Sequence, residues 1–418
     1  MQNKEVLQLT NCLINHNTKY MKTFIYKASK SLVPCFLLTT AIGFCYAFSL
    51  FAAPAQALLG CSKTAVQFAF CLNIFFLGTG ASCFGALVEK NIKRAAWLST
   101  ALLLTGLCIS GVAMHLASIW LFYLGMGVLC GLSEGVGYVV PVKNLLLWFG
   151  KSKHKALVMA ISIVSFGLGS TLCTWLFKQA FPVFGIENVF FFFGAFYLVS
   201  MTIGSLLIDK PKFVKMYLKL EAAKSYSAAK YLRDSYFWQC WLFMFLNISM
   251  GLIIIGQCAG LLTSNGVPTA TMLVVMMLCG LSNGFGRLLF PAISDYLKNR
   301  ADILLVALVL EMAIFIVSML YAPFIPIAFI VVNATYGCFF ACLPAVLLDH
   351  YGKSELSFVH GLVLQAWASA SLLAFLVSTF VLSTLALSQN VLFAVLVAVY
   401  GLNFINVLVV RRRSSMKK

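Results

Sequence analysis

Long apolar runs, each of bilayer-crossing length, alternate along this chain with short polar breaks. A helix needs about 20 predominantly apolar residues to span the hydrocarbon core of a membrane. Runs of that kind occupy residues 32–54, 63–86, 95–114, 117–148, 154–177, 185–208, 236–262, 267–290, 302–320, 325–348, 356–380 and 387–410. The pattern predicts an all-α membrane protein with 12 transmembrane helices. One long polar stretch separates six runs from six. The chain therefore divides into an N-terminal tail (1–31), a six-helix bundle (32–208), a basic central loop (209–235), a second six-helix bundle (236–410) and a basic tail (411–418).

Composition agrees: of 418 residues 61% are hydrophobic and only 10% charged, against about 25% charged in soluble proteins. A net charge of +18 would suggest nucleic acid in a soluble protein. Here its placement decides, because Lys and Arg concentrate in the loops on one side of a membrane and mark that side as cytoplasmic. Lys22, Lys27, Lys90, Lys93, Arg94, Lys151, Lys153, Lys210, Lys230, Arg300, Lys353 and Arg411 fall on the side of the termini, while Lys63 and Lys178 fall opposite. Both termini are expected in the cytoplasm, in a multi-pass protein of the plasma membrane, or of the inner membrane if bacterial. The first thirty residues are polar and lysine-rich, so no cleavable signal peptide is expected, and Met21 is an alternative start. The 14 cysteines are scattered singly, which points to buried small hydrophobes and to neither disulfides nor a metal site. No cofactor and no nucleic-acid partner are expected.

The two halves echo each other. Gly85-Ala-Leu-Val-Glu89-Lys90-Asn-Ile-Lys93-Arg94, after the second run, is mirrored after the eighth by Pro291-Ala-Ile-Ser294-Asp295-Tyr-Leu-Lys298-Asn-Arg300. Phe149-Gly150-Lys151-Ser152 is mirrored by Tyr351-Gly352-Lys353-Ser354. Such repeats mark a duplicated six-helix unit, and related halves place a substrate site between them near the bilayer midplane.

The paired loop motif resembles the signature of the major facilitator superfamily. Several stretches are similar to its oxalate:formate antiporter branch, which is related to the monocarboxylate transporters. They are Gly43-Phe-Cys-Tyr46-Ala-Phe-Ser49-Leu50-Phe51-Ala-Ala-Pro54, Gly135-Val-Gly137-Tyr138-Val-Val-Pro141, Asn283-Gly284-Phe-Gly286-Arg287, and Tyr336-Gly337 leading to Pro344-Ala345. The resemblance implies two pseudo-symmetric bundles working by alternating access. It also implies a substrate carboxylate on Arg287, enclosed by Tyr46, Tyr138 and Tyr336, with Asn283, Gln365 and Trp367 as further binding candidates. Gly85, Glu89, Lys90, Arg94, Asp295 and Arg300 would form the gating loops. Where the oxalate-transporting member has a second cation, a lysine, this chain has Trp367, which favours a monocarboxylate over a dianion. Where proton-coupled monocarboxylate transporters have an aspartate, it has Asn283, which takes up no proton.

A charge at the bilayer centre costs about 2.5–3.5 kcal/mol on insertion scales, so each is a functional candidate. Arg287 is read as gripping a carboxylate by two parallel hydrogen bonds, or as pairing with a carbonyl or with Glu134. Glu134 is a coupling group, a counter-ion or a polar residue bonded within its bundle. Lys143 lies half a turn from the Glu134 face and is expected to snorkel to the headgroups. Glu311, on the ninth run, is expected protonated or paired, with no function assigned. His360 is a coupling candidate or an interface residue. The aromatic run 190–193 is expected to face lipid.

These features point to a secondary active transporter, not an enzyme. No GxxxxGK[ST] loop occurs, so exchange or proton symport would drive a small organic anion of the monocarboxylate class. The partners are that anion, the lipid bilayer and, under symport, protons, with the chain a monomer. The alternatives are a proton-coupled carrier of a neutral or larger metabolite or siderophore, and a transporter-like receptor.

Overall fold

A computed structural model of the protein describes residues 26–149, 152, 155–211, 227–381 and 388–416. The alternative start at Met21, Lys151, Lys153 and most of the central loop lie outside the described residues. The structure is built from α1 (Leu32–Leu59), α2 (Lys63–Lys90), α3 (Ile92–His115), α4 (Ile119–Phe149), α5 and α6 (two arms of Lys155–Leu207), α7 (Ser235–Ser264), α8 (Thr269–Ser294), α9 (Ala301–Leu320), α10 (Ile325–Tyr351), α11 (Leu356–Leu376) and α12 (Gln389–Met416).

Among the described residues eleven helices are long and apolar enough to cross a membrane. One of them, Ala156–Leu207, has 52 residues, or about 78 Å at helical rise, more than twice a bilayer core. Gly185 breaks it at φ 65° and ψ 179°, a backbone that glycine reaches without a Cβ penalty. Its ends return to one face, since Ala156 meets Asp295 and Leu206 meets Lys93. Gly185 divides it into two arms, α5 and α6. Both ends of the described chain share that face too, as Asn144 donates to the Lys30 carbonyl and Asn299 to that of Arg411. We call it the basic face.

The first span differs from the continuous helix 32–54 expected. It is α-helical over Leu32–Ile42, tightens to a 3₁₀ turn over Gly43–Ala47, and resumes as Phe48–Leu59. The turn lies where α1 crosses α5 closely: a Cβ on Gly43 would stand 2.1 Å from the Phe166 carbonyl oxygen. Irregular backbone at membrane depth is tolerated where protein buries it, and here it presents Tyr46 to the interior. A π turn at Tyr123–Leu129 similarly interrupts α4.

The aromatic run 190–193 is a correction. Phe190 and Phe193 are buried and pack on Phe51 at 5.2 and 5.7 Å between ring centroids. They belong to a stripe at helical spacing, with Ile186, Val189, Tyr197 and Met201, turned toward α1. A uniformly apolar helix hides such a stripe from sequence patterning.

Small residues let the helices of each bundle approach closely. A Cβ on Gly135 of α4 would lie 2.1 Å from the Leu77 carbonyl oxygen of α2. Overpacking costs about 1–3 kcal/mol, more than the ~1 kcal/mol alanine gains in helix propensity. Gly135→Ala is therefore expected to lower the melting temperature of the purified protein, whereas an alanine at Gly280, which has open space around it, is not.

Candidate functional site

The two halves meet around a buried arginine. Arg287 lies on α8, eight residues from Asp295 at the basic face, and is fully buried. Its Nη1 donates to the Ile163 carbonyl of α5 at 2.9 Å. Nε and Nη2 have no hydrogen-bond partner, and no carboxylate reaches them among the described residues. These two nitrogens form one edge of the guanidinium, the edge that can donate two parallel bonds to a carboxylate.

Aromatic rings surround the guanidinium. The guanidinium carbon lies 5.6 Å from the centre of Phe166 and 5.9 Å from that of Phe340, distances at which the ring faces attract a cation. Tyr46 packs edge-on against Phe166 at 5.1 Å. Tyr138 touches Phe166 at 5.8 Å, Trp367 at 5.9 Å, His360 at 6.0 Å and Phe340 at 6.4 Å. Tyr336 and Trp367 close the cage on Phe340 at 5.1 and 4.3 Å. The hydroxyls of Tyr46, Tyr138 and Tyr336, the indole nitrogen of Trp367 and both ring nitrogens of His360 make no hydrogen bond. Buried polar atoms are ordinarily paired, so the arrangement has donors free to bond a polar group. Tyr46, Tyr138 and Phe166 come from the first half of the chain and the rest from the second.

The structure thus brings together Arg287, Tyr46, Tyr138, Tyr336, Trp367 and His360. Asn283 is half-buried and donates to the Asn333 carbonyl at 3.2 Å. Gln365 is half-buried, its carbonyl accepting from Ser369. Glu134 does not meet Arg287 here. One of its oxygens accepts from Asn73 of α2 at 3.1 Å, inside the first bundle, and the other has no partner.

Sequence reading passed over Phe166, Phe340 and Ile163. Phe340 had a signal: the offset of 202 that aligns Phe149 with Tyr351 also aligns Tyr138 with Phe340. Ile163 acts through its backbone, which side-chain patterning does not report.

Below the cage, at the basic face, two carboxylates cross between bundles. Glu89, at the end of α2, accepts the backbone N–H of Ser357 at the start of α11 at 2.6 Å. Asp295, just past α8, accepts the N–H groups of Ala156 and Leu157 at the start of α5 at 3.2 and 3.1 Å. Each negative charge sits at a helix N-terminus, where exposed N–H groups and the helix dipole favour it. Arg300 donates to Asp295 at 3.0 Å and also to Asp349.

Lys143 is a correction. It does not reach the headgroups: it is buried, ion-paired with Glu89, and donates to the Lys353 carbonyl at 3.0 Å. A carboxylate already inside the bundle is nearer than the membrane surface, and the pair bridges α4 and α2 to the loop before α11. Lys210, just outside the spans, lies beside it, and burial, with the Lys143 charge, pulls its ammonium below the usual lysine range. Gly85 lies one turn above Glu89, where a Cβ would stand 3.0 Å from the Ser357 carbonyl oxygen. Lys90 and Arg94 are exposed; the Lys90 carbonyl accepts from Lys210 at 3.3 Å.

Toward the opposite face the α2–α11 contact continues. Cys71 and Ser371 bond to each other's carbonyls at 3.6 and 3.3 Å, and Phe68 packs on Phe375 at 5.4 Å.

Known proteins resemble the chain in sequence and fold. The chain is 27% identical over 353 residues to a protein of Escherichia coli (strain K12) named "Uncharacterized MFS-type transporter YhjX", covering 82% of this chain and 85% of that one. It is 22% identical over 342 residues, 80% of each chain, to the "Oxalate:formate antiporter" of Oxalobacter formigenes. Its fold matches the crystal structure of the human organic anion transporter MFSD10 (TETRAN) with a TM-score of 0.69 at 14% identity, over 90% of this chain and 99% of that one. The sequence model of the Major Facilitator Superfamily fits residues 35–375, so this chain, with its two bundles closed around Arg287, belongs to that family and is a multi-pass membrane transporter.

Proposed function

We propose that the protein moves a small organic anion, of the monocarboxylate class, across the membrane by alternating access, with its basic face in the cytoplasm. The observation behind this reading is the open Nε/Nη2 edge of Arg287. A buried guanidinium without a carboxylate partner carries an uncompensated charge, and buried charges are ordinarily paired. One monoanion neutralises it and uses both nitrogens. A dianion would leave an excess charge, since no second cation borders the cage among the described residues. The close ring spacing also favours a small ligand over a siderophore. The two relatives and the fold neighbour are transporters by name, and two of the three names specify anions.

The three tyrosines, Trp367 and His360 supply secondary contacts. They belong to both halves, so a ligand at Arg287 touches both and can stabilise the closed cage. Glu89, Lys143, Asp295 and Arg300 form the cytoplasmic gate that must part to release it.

Thermal denaturation of the purified protein tests this reading. A ligand that binds the folded state stabilises by mass action, by about 2.7 kcal/mol at one hundred times its Kd. Some member of a panel of small monocarboxylates is expected to raise the melting temperature in a concentration-dependent way, and its uncharged amide is not. If neutral compounds stabilise and no carboxylate does, the anion reading fails.

A further inference from the structure

A second buried acid lies one helix away from the cage and has no part in the account so far. Glu311 sits ten residues into α9, about 15 Å from its basic end, near mid-depth, and is buried. One carboxyl oxygen accepts the hydroxyl of Thr335 on α10 at 2.7 Å, and the other has no partner. A bare carboxylate at that depth is costly, and intramembrane acids of this kind mark ion and proton pathways.

The surroundings favour a proton as its ligand. The hydroxyls of Tyr400 on α12 and of Tyr336 in the cage are buried and make no hydrogen bond. Tyr336 in turn neighbours Tyr46 in the cage. Helix α10 links the acid to the cage: Thr335, which holds Glu311, directly precedes Tyr336, which packs on Phe340. The titratable neighbours of Glu311 are Tyr400 on α12 and Cys338 on α10. On α8, Arg287 donates away from it, to α5.

We propose that Glu311 is a proton-binding site that couples anion movement to a proton gradient through α10, whose Thr335 holds its carboxyl and whose adjacent Tyr336 lines the cage. The inference rests on the transport reading above. The carboxylate takes one proton from the side on which the anion loads and becomes neutral, and it returns that proton on the other side. Anion and proton then move together and the cycle carries no net charge.

The test uses proteoliposomes holding a pH-sensitive dye, with a monocarboxylate found by the thermal screen as substrate. Wild-type protein is expected to carry protons with the anion in a ratio near one. Glu311→Gln, which mimics the protonated acid, is expected to keep exchange of labelled for unlabelled anion within about twofold, and to lose anion-dependent proton flux and accumulation against a gradient. Retained exchange also shows that the variant is folded. Glu134→Gln is expected to keep proton flux. The proposal is overturned if the wild type exchanges anion without moving protons, if sodium replaces the proton requirement, if Glu311→Gln moves protons like wild type or loses exchange as well, or if Glu134→Gln alone abolishes the flux. Absence of anion exchange in the wild type would instead contradict the transport reading itself.

Discussion

Arg287→Ala is expected to weaken monocarboxylate binding by at least about thirtyfold and to abolish transport. Truncating one partner of a buried, hydrogen-bonded charge pair costs about 2–5 kcal/mol, which is roughly thirty- to several-thousand-fold in affinity at 1.4 kcal/mol per tenfold. Arg287→Lys should fall between. It keeps the charge, but an ammonium is a point donor and cannot offer the parallel pair that Nε and Nη2 form. Losing one bond to a charged group costs about 1.5–3 kcal/mol. Equilibrium binding of a labelled monocarboxylate to the purified variants reads the series. Stability separates this role from a structural one. In the unliganded protein the guanidinium makes one hydrogen bond to Ile163 and leaves two nitrogens unpaired. Removing an uncompensated buried charge should then leave the melting temperature unchanged or raised, even as binding is lost. A variant that neither binds nor stays folded would mean that Arg287 is structural.

The second large effect belongs to the gate. Glu89 and Lys143 are both buried and paired, and each also bonds to the backbone at the start of, or just before, α11. Breaking a buried pair by removing one partner costs about 3–5 kcal/mol, because the remaining charge is stranded. The cost falls on the state with the basic face closed, since water solvates the stranded charge once the bundles part. Glu89→Gln or Lys143→Met alone should therefore shift the equilibrium toward opening of that face by roughly a hundredfold. The double substitution removes both charges and should recover much of the loss, the non-additivity expected of contacting residues. Hydrogen exchange at the first amides of α11 reports the shift: faster in each single variant, closer to wild type in the double. Equal exchange in all four proteins would show that the pair does not hold the gate.

Much of this architecture was legible in the sequence, for physical reasons. Membrane spans announce themselves by length and hydropathy, and the repeated loop motif points to two related halves. Arg287 was legible because a lone charge in an apolar helix is costly enough to need a purpose. Geometry across helices was not legible. Glu134 and Arg287 were weighed as partners from their similar depth, yet depth says nothing of azimuth, and Glu134 points to Asn73. Lys143 was assigned to the headgroups because helical spacing displayed no partner, and its partner Glu89 comes from another helix. The break in α1 at Gly43 depends on how closely the Phe166 carbonyl approaches, a tertiary fact that local sequence does not record. Phe190 and Phe193 look like lipid-facing residues because in a membrane helix the buried and exposed sides are both apolar.

The most direct measurement is an experimental structure of the protein with a monocarboxylate bound. The two carboxylate oxygens are expected about 2.7–2.9 Å from Nε and Nη2 of Arg287, with the rest of the ligand between Tyr138, Phe340 and Trp367. A ligand held elsewhere, or one seated in the cage with its carboxylate turned away from Arg287, would contradict it.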